Sequence, residues 1–315
     1  MGPLGRQAAR RDRLGQGVEG SHVPGPCPIE ARPAPRSRMK PITAMLSARE
    51  IMRALMSMPE AIPARSAGTD AVAVLVTGVF VSPSPVPASM LPGNGAWSKV
   101  RPQLSRATPA YAGVFFIATM IRDGNMRLRA SADAIGGGTL MAVAPGQGIL
   151  AHRYADGRVH TYTALKRPAS WFDAIDVRAA KTALARVAAE FAGWAPHATA
   201  LITTSDADPV LRPIHALPVC HRWDRAPGLT LLGDAAHLMS PFAGEGANLA
   251  LYDGAELARA VVATPTDVGA ALAAYERDLF PRSARIADAS ARNLTRFFGT
   301  EAPASVVRMF APERP

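Results

Sequence analysis

Leu229–Leu257, LTLLGDAAHLMSPFAGEGANLALYDGAEL, is the stretch on which the fold turns. Its first four residues, Leu229 to Leu232, form a compact apolar run that predicts a short buried strand ending at Gly233-Asp234. In an open α/β sheet, ligands bind at the carboxyl ends of such strands. Gly233 lets the backbone come close to a ligand. Asp234 adds a carboxylate acceptor suited to sugar hydroxyls, and a hydrogen bond of that charged kind is worth about 1.5–3 kcal/mol. Pro241-Phe242-Ala243-Gly244-Glu245-Gly246-Ala247-Asn248 follows as a glycine-rich turn entering a helix. The first amides of a helix have no internal partner and point at whatever anion sits before them. The helix dipole adds about 0.3–1 kcal/mol at an exposed end.

A lone Gly-x-Gly turn carries little information. Here the strand, the Gly-Asp pair, the Pro-Phe-Ala-Gly turn and the helix come in one order, and a reduced flavin, anionic on its pyrimidine edge, suits that turn.

Downstream, Gly246 to Val262 predicts a helix with Ala247, Ala250, Leu251, Ala255, Ala258 and Val262 on one face, and Thr266 to Phe298 a longer helical region bent or broken at Pro281. Upstream, Gly113–Ile121, Gly138–Val143, Gly148–Tyr154 and Arg158–Leu165 predict strands. The turn Ala155-Asp156-Gly157 joins the last two, so a small antiparallel sheet is expected. Val177 to Phe191 predicts an amphipathic helix with Ala180, Leu184, Val187 and Phe191 on one face. Before about residue 91 the chain is rich in Pro, Arg, Ala, Gly and Ser, and residues 1–92 are expected to be low-complexity sequence without a packed core. The remaining units are 93–112, a remnant of a nucleotide-binding domain; 113–222, the antiparallel sheet and its helix; 223–263, the loop and helix quoted above; and 264–315, a C-terminal helical region.

The composition excludes several function classes. The net charge of +10 invites a nucleic-acid reading. Arg6, Arg10, Arg11, Arg13, Arg32, Arg36, Arg38 and Lys40 crowd one end, however, without the interleaved aromatics of a single-strand surface, and read as a solvated tail. Cys27 and Cys220 are too few for a disulfide framework or a four-cysteine zinc site, so no metal and a reducing, cytoplasmic setting are expected. The longest apolar run, Ala71 to Val81, is too short to span a membrane. A monomer is expected.

The residues from Gly233 to Asn248 resemble the GDAAH…P…G.G.N motif of the class A flavoprotein monooxygenases, the para-hydroxybenzoate hydroxylase-like group, and in particular its tetracycline-inactivating branch. The resemblance extends to Arg212–Gly228 (RPIHALPVCHRWDRAPG) and Asn94–Val114 (NGAWSKVRPQLSRATPAYAGV), so it runs from about residue 93 to 299. It implies an α/β fold: an incomplete FAD-binding domain, an antiparallel substrate-domain sheet and C-terminal helices. Asp234 and Gly233 would meet the ribityl or ribose part of FAD, and Gly244, Gly246, Ala247 and Asn248 the flavin pyrimidine. Arg101 and Asn94 would assist cofactor binding, with a surface salt bridge as the alternative for Arg101. Phe242 would lie near the substrate face of the flavin. His160 and Tyr162, at period two on one strand, and Gln147 are candidates for the substrate pocket, with an ordinary structural role equally open for His160. Such enzymes reduce FAD with NADPH, form a flavin C4a-hydroperoxide with O2 and oxygenate a small molecule, here an aromatic or polyketide-like one. The alternative is a non-catalytic remnant with weak or no FAD binding.

Two departures stand out. The family's opening strand, Gly-x-Gly-x-x-Gly turn and helix is not found in these residues. Gly146-Gln147-Gly148-Ile149-Leu150-Ala151 fits the letters but lies between strands. Asn94 stands where the family pattern has Asp, keeping hydrogen bonding and losing charge. The abrupt change of character near residue 92 is read as a junction, with residues 1–92 outside the ancestral frame. Of the rest, His237 is expected to pack or to hydrogen-bond locally in the loop, Asp253 and Glu256 to be solvated, and Met239 and Trp223 to be core.

Overall fold

The computed structural model describes residues 95–122 and 129–311, so the expectations for residues 1–92 and for Asn94 lie outside the described residues. Five strands form one antiparallel sheet: β1 (Ala110–Ile121), β2 (Thr139–Ala144), β3 (Gln147–Arg153), β4 (Val159–Leu165) and β5 (Val210–Ala216), in the order β2-β3-β4-β1-β5. The hairpin between β3 and β4 closes where the sequence predicts, with the Tyr154 amide donating to the Arg158 carbonyl at 2.8 Å. Gly146 sits in the tight β2–β3 turn, so the Gly-x-Gly there is a hairpin feature.

Period-two alternation sorts the strand residues between the two faces. Phe115, Ile117, Ile121, Ile149, Val159 and Leu165 point to one side. There they meet α1 (Arg129–Ile135), α2 (Ala169–Asp173), α3 (Ala180–Ala189) and α4 (Pro196–Thr203) through Ile135, Phe172, Leu184, Val187 and Leu201. The predicted α3 face is the buried one at Leu184, Val187 and, just past the helix, Phe191. Val114, Phe116, Leu150, Tyr162, Ala164 and Ile214 point to the other side, against Phe242, Phe297, Phe298 and Val306. Each fully buried side chain of this size contributes about 1.5–3 kcal/mol.

The rest of the chain forms α5 (Gly233–His237), α6 (Gly246–Ala263), α7 (Val268–Phe298) and α8 (Ala304–Phe310). Trp223, Leu231, Leu232, Ala235, Leu257, Leu272, Tyr275 and Leu279 pack between α5, α6 and α7 as a third apolar cluster.

Four expectations are corrected. Leu229–Leu232 is buried, but pairs with no strand of the sheet; one isolated bridge joins Leu229 to Ala226. Of the bend or break expected at Pro281, the break does not occur: α7 is one continuous helix, because Leu279, Ser283 and Ala284 around the proline are buried and packing outweighs the lost backbone bond. The buried face of α6 is Leu249, Ala250, Asp253, Gly254 and Leu257, whereas Leu251 and Val262 are 56% and 78% exposed. Met239 is only half-buried, although Trp223 is core as expected.

Candidate functional site

The apolar run before Gly233 is held from α7 rather than by neighbouring strands. Tyr275 donates its hydroxyl to the Leu231 carbonyl at 3.1 Å, and Thr230 donates to Glu276 Oε1 at 2.8 Å. Trp223 Nε1 donates to the same oxygen at 3.1 Å, and Arg225 stands 3.7 Å from Oε2. The chain then turns through Gly233 at φ 57°, a left-handed conformation that favours glycine, and winds into α5.

Asp253, expected to be solvated, is completely buried. Its Oδ2 accepts from the Gly233 amide at 3.1 Å and from His237 Nε2 at 2.6 Å, while Oδ1 accepts from Arg282 Nη2 at 2.9 Å. His237 therefore bonds across to α6 and not within its own loop. The other carboxylate expected in solvent, Glu256, is half-buried and pairs with Arg259.

Asp234 follows Gly233 and is half-buried. Burial pushes its carboxyl pKa above the ordinary value, against the attraction of His237 and Arg101. Its side chain makes no hydrogen bond among the described residues, which leaves its acceptor oxygens available. Arg101 is no surface salt bridge: it is 3% exposed and donates Nε to the Ala235 carbonyl at 2.8 Å. Its Nη2 donates to the carbonyls of Ala96 at 2.9 Å, Asp234 at 3.0 Å and Gly95 at 3.2 Å. It ties the 95–97 turn to α5, and burial lowers its pKa against the pull of Asp234.

The second half of the site is the turn Pro241–Ala243. It closes with the Gly244 amide on the Pro241 carbonyl at 2.9 Å, and Gly244 has φ 70°. α7 grips it: Ser290 Oγ donates to the Ser240 carbonyl at 2.5 Å, and Asn293 Nδ2 donates to the Phe242 carbonyl at 2.9 Å. Phe242, read as lying near the substrate face, is wholly buried, with ring centroids 5.0 Å from Phe297 and 5.8 Å from Phe116. It pins the turn to the sheet.

Beyond the turn, the mouth of α6 is open. Glu245 at the N-cap makes no side-chain capping hydrogen bond among the described residues, and Ala247 and Asn248 are exposed. A Cβ added to Gly246 would meet nothing within 4 Å. Uncapped amides, open space and an available carboxylate fit a ligand with hydroxyls at one end and a negative edge at the other, as FAD has.

His160 and Tyr162 lie on the sheet face that carries Phe116 and Phe242, 4.6 Å apart between ring centroids, and both are buried. Gln147 is on the opposite face. With its amide oriented by its surroundings, it donates to the Glu190 carbonyl at 2.8 Å and accepts from Trp194 Nε1 at 3.1 Å. The sequence reading missed Arg212, which shares the parity of Ile214 on the Phe242 side and whose Nε is buried with no partner among the described residues. A charged residue at an inward-facing strand position was the available signal. Among the described residues no His, Cys, Asp and Glu cluster could hold a metal, and no helix is long and apolar enough to cross a membrane.

Known proteins resemble this chain in sequence and fold. The monooxygenase asqM of Emericella nidulans is 26% identical over 261 residues, covering 66% of this chain and 59% of asqM. The monooxygenase penA of Penicillium thymicola is 29% identical over 201 residues, covering 52% of this chain and 46% of penA. The structure of Klebsiella pneumoniae HpxO with FAD and uric acid superposes with a TM-score of 0.57 at 24% identity, covering 69% of this chain and 53% of that one. The chain thus spans roughly half of the length of the relatives it matches. The model of the FAD binding domain family matches residues 94–290, which takes in every element from the 95–97 turn to Ser290 of α7. The chain belongs to that family and has the fold of the class A FAD-dependent monooxygenases.

Proposed function

We propose that the protein is an FAD-dependent monooxygenase that takes electrons from NAD(P)H and inserts one atom of O2 into an aromatic or polyketide-like small molecule. The observation that carries this reading is the pairing of an uncapped α6 N-terminus with the Asp234 carboxylate, which has no hydrogen bond among the described residues, on a helix, α5, bonded to α6 through Asp253. Bound FAD would supply the redox chemistry; the chain supplies binding, orientation and dryness. Asp234 accepts hydroxyls of the ribityl or ribose part. The amides of Gly246, Ala247 and Asn248 face the negative edge of the ring and stabilise it there. Arg101 fixes the backbone carbonyls of α5 so that Asp234 keeps its aim. Arg212 gives the sheet face a cation for a polar or acidic ring substituent, and uric acid in the HpxO complex is a ring of that kind.

Titration of the purified protein with FAD, followed by flavin absorbance, NADPH oxidation and labelled-oxygen incorporation, tests the reading. We expect weak flavin binding at best, because no pyrophosphate-binding Gly-x-Gly-x-x-Gly strand–turn–helix is recognisable in these 315 residues. Asp234→Ala should weaken binding a further tenfold or so, as loss of a charged hydrogen bond does. A tight stoichiometric complex would contradict the first expectation. A second reading, a non-catalytic family member with weak or no FAD binding, rests on the same unrecognised motif. Protein that stays colourless in excess FAD and oxidises no NADPH selects it.

A further inference from the structure

Buried ion pairs are weak sources of stability, because desolvation offsets most of the attraction. The Asp253–Arg282 pair is almost wholly withdrawn from water, with side chains 0% and 11% exposed, so what it holds in place matters more than its energy. One oxygen of Asp253 accepts from the Gly233 amide and from His237 Nε2. These are the first and last residues of α5, so both ends of the short helix that presents Asp234 hang from a single atom. The other oxygen is taken by Arg282 of α7, whose guanidinium also sits 4.8 Å from the centre of the Tyr252 ring on α6. Three helices therefore meet at one carboxylate.

We propose that Asp253 is a positioning residue of the flavin site in addition to Arg101: with Arg282 it holds the two ends of Gly233–His237, and through them the direction of the Asp234 carboxylate. The inference rests on the FAD reading of Asp234. Its chemistry requires an ionised acceptor. An Asn in the same place has one carbonyl oxygen and an amide that donates, so it cannot serve three donors on two oxygens. The Gly233 amide, His237 Nε2 or Arg282 Nη2 then loses its acceptor.

The test compares Asp253→Asn with Glu276→Gln, a second buried carboxylate whose polar partners, Trp223, Thr230 and Arg225, all lie outside α5, and which controls for general loss of stability. Amide hydrogen exchange is followed in flavin-free protein, and FAD affinity is measured alongside. Asp253→Asn is expected to speed exchange at residues 233–237 about tenfold or more, leave β3 and β4 near wild type, and weaken FAD by a similar factor. Glu276→Gln is expected to lower the melting temperature without selective loosening of α5. Arg282→Lys keeps the charge with fewer directed donors and should give a smaller change in the same amides, so the idea stays testable even if Asp253→Asn does not fold. Unchanged α5 exchange in the Asp253 and Arg282 variants overturns the proposal, as does the same selective loosening in Glu276→Gln. If wild-type protein binds no FAD, the exchange measurements still decide the positioning role, and only the functional reading falls.

Discussion

Asp234 carries an electrostatic cost in the flavin-free protein. Burial holds its carboxyl pKa above the ordinary value, so the folded chain retains a proton at pH values where the unfolded chain has released it. Below the ordinary carboxylate range, about pH 3.9, both states are protonated and the residue costs nothing. As pH climbs from there through the raised pKa, the unfolded state ionises first and stability falls. Asp234→Asn should therefore stabilise the flavin-free protein, by a margin that grows as pH rises above about 4 in urea melts, while weakening FAD. Thr161 and Thr163 pose a simpler case. Both are 0% exposed, with hydroxyls that have no partner among the described residues. A buried unpaired hydroxyl costs about 1–3 kcal/mol, and valine has the same shape. Each Thr→Val change should raise stability by about 1 kcal/mol in chemical denaturation, with no effect on flavin binding.

At the scale of elements, α6 shows how far sequence periodicity carries. The helix itself was legible from its glycine-rich entry and its 3.6-residue pattern. Its phase was not, because Ala247, Ala255 and Ala258 look apolar yet cost little when exposed, while the true inner face holds the charged Asp253. The partners that neutralise Asp253 lie 16, 20 and 29 residues away in sequence, beyond any local pattern. Four of the five strands were easier to read, since alternation and turn residues are local signals; β1 is longer than expected, starting at Ala110, the ends of β2, β3 and β4 moved by a residue or so, and β5, interrupted by Pro213 and Arg212, was not read as a strand. Leu229–Leu232 read as a strand because burial alone gives an apolar run, whatever its hydrogen-bond partners. Asp234 and the mouth of α6 were legible because the glycines and the carboxylate keep a fixed order, whereas the burial of Phe242 was not, because it depends on Phe116 and Phe297 far along the chain. The corrected phase makes a prediction. Leu257→Ala should cost about 2–5 kcal/mol by leaving a cavity, whereas Leu251→Ala on the outer face should stay within about 0.5 kcal/mol.

Across the whole molecule, the flavin side and the far edge of the sheet are joined by the end of α7. The Phe298 carbonyl accepts from the Gly146 amide at 3.1 Å, and Gly148 of β3 leaves just enough room for the Phe298 ring. A Cβ at Gly148 would stand 3.2 Å from Phe298 Cε1 and 3.2 Å from the Ala142 carbonyl oxygen, and that backbone atom cannot easily retreat. Gly148→Ala should thus destabilise the protein by about 1–3 kcal/mol, measured by thermal or urea unfolding. Residues of α7 also reach Asp253 through Arg282, the Pro241 turn through Ser290 and Asn293, and the sheet through Phe297 and Phe298. The unbroken helix makes these anchor points a single gauge. Inserting one residue between Arg282 and Ser290 would advance every later anchor by about 1.5 Å and rotate it by about 100°. The chain can therefore tolerate lengthening in its outer loops far more readily than a shift of phase within this helix.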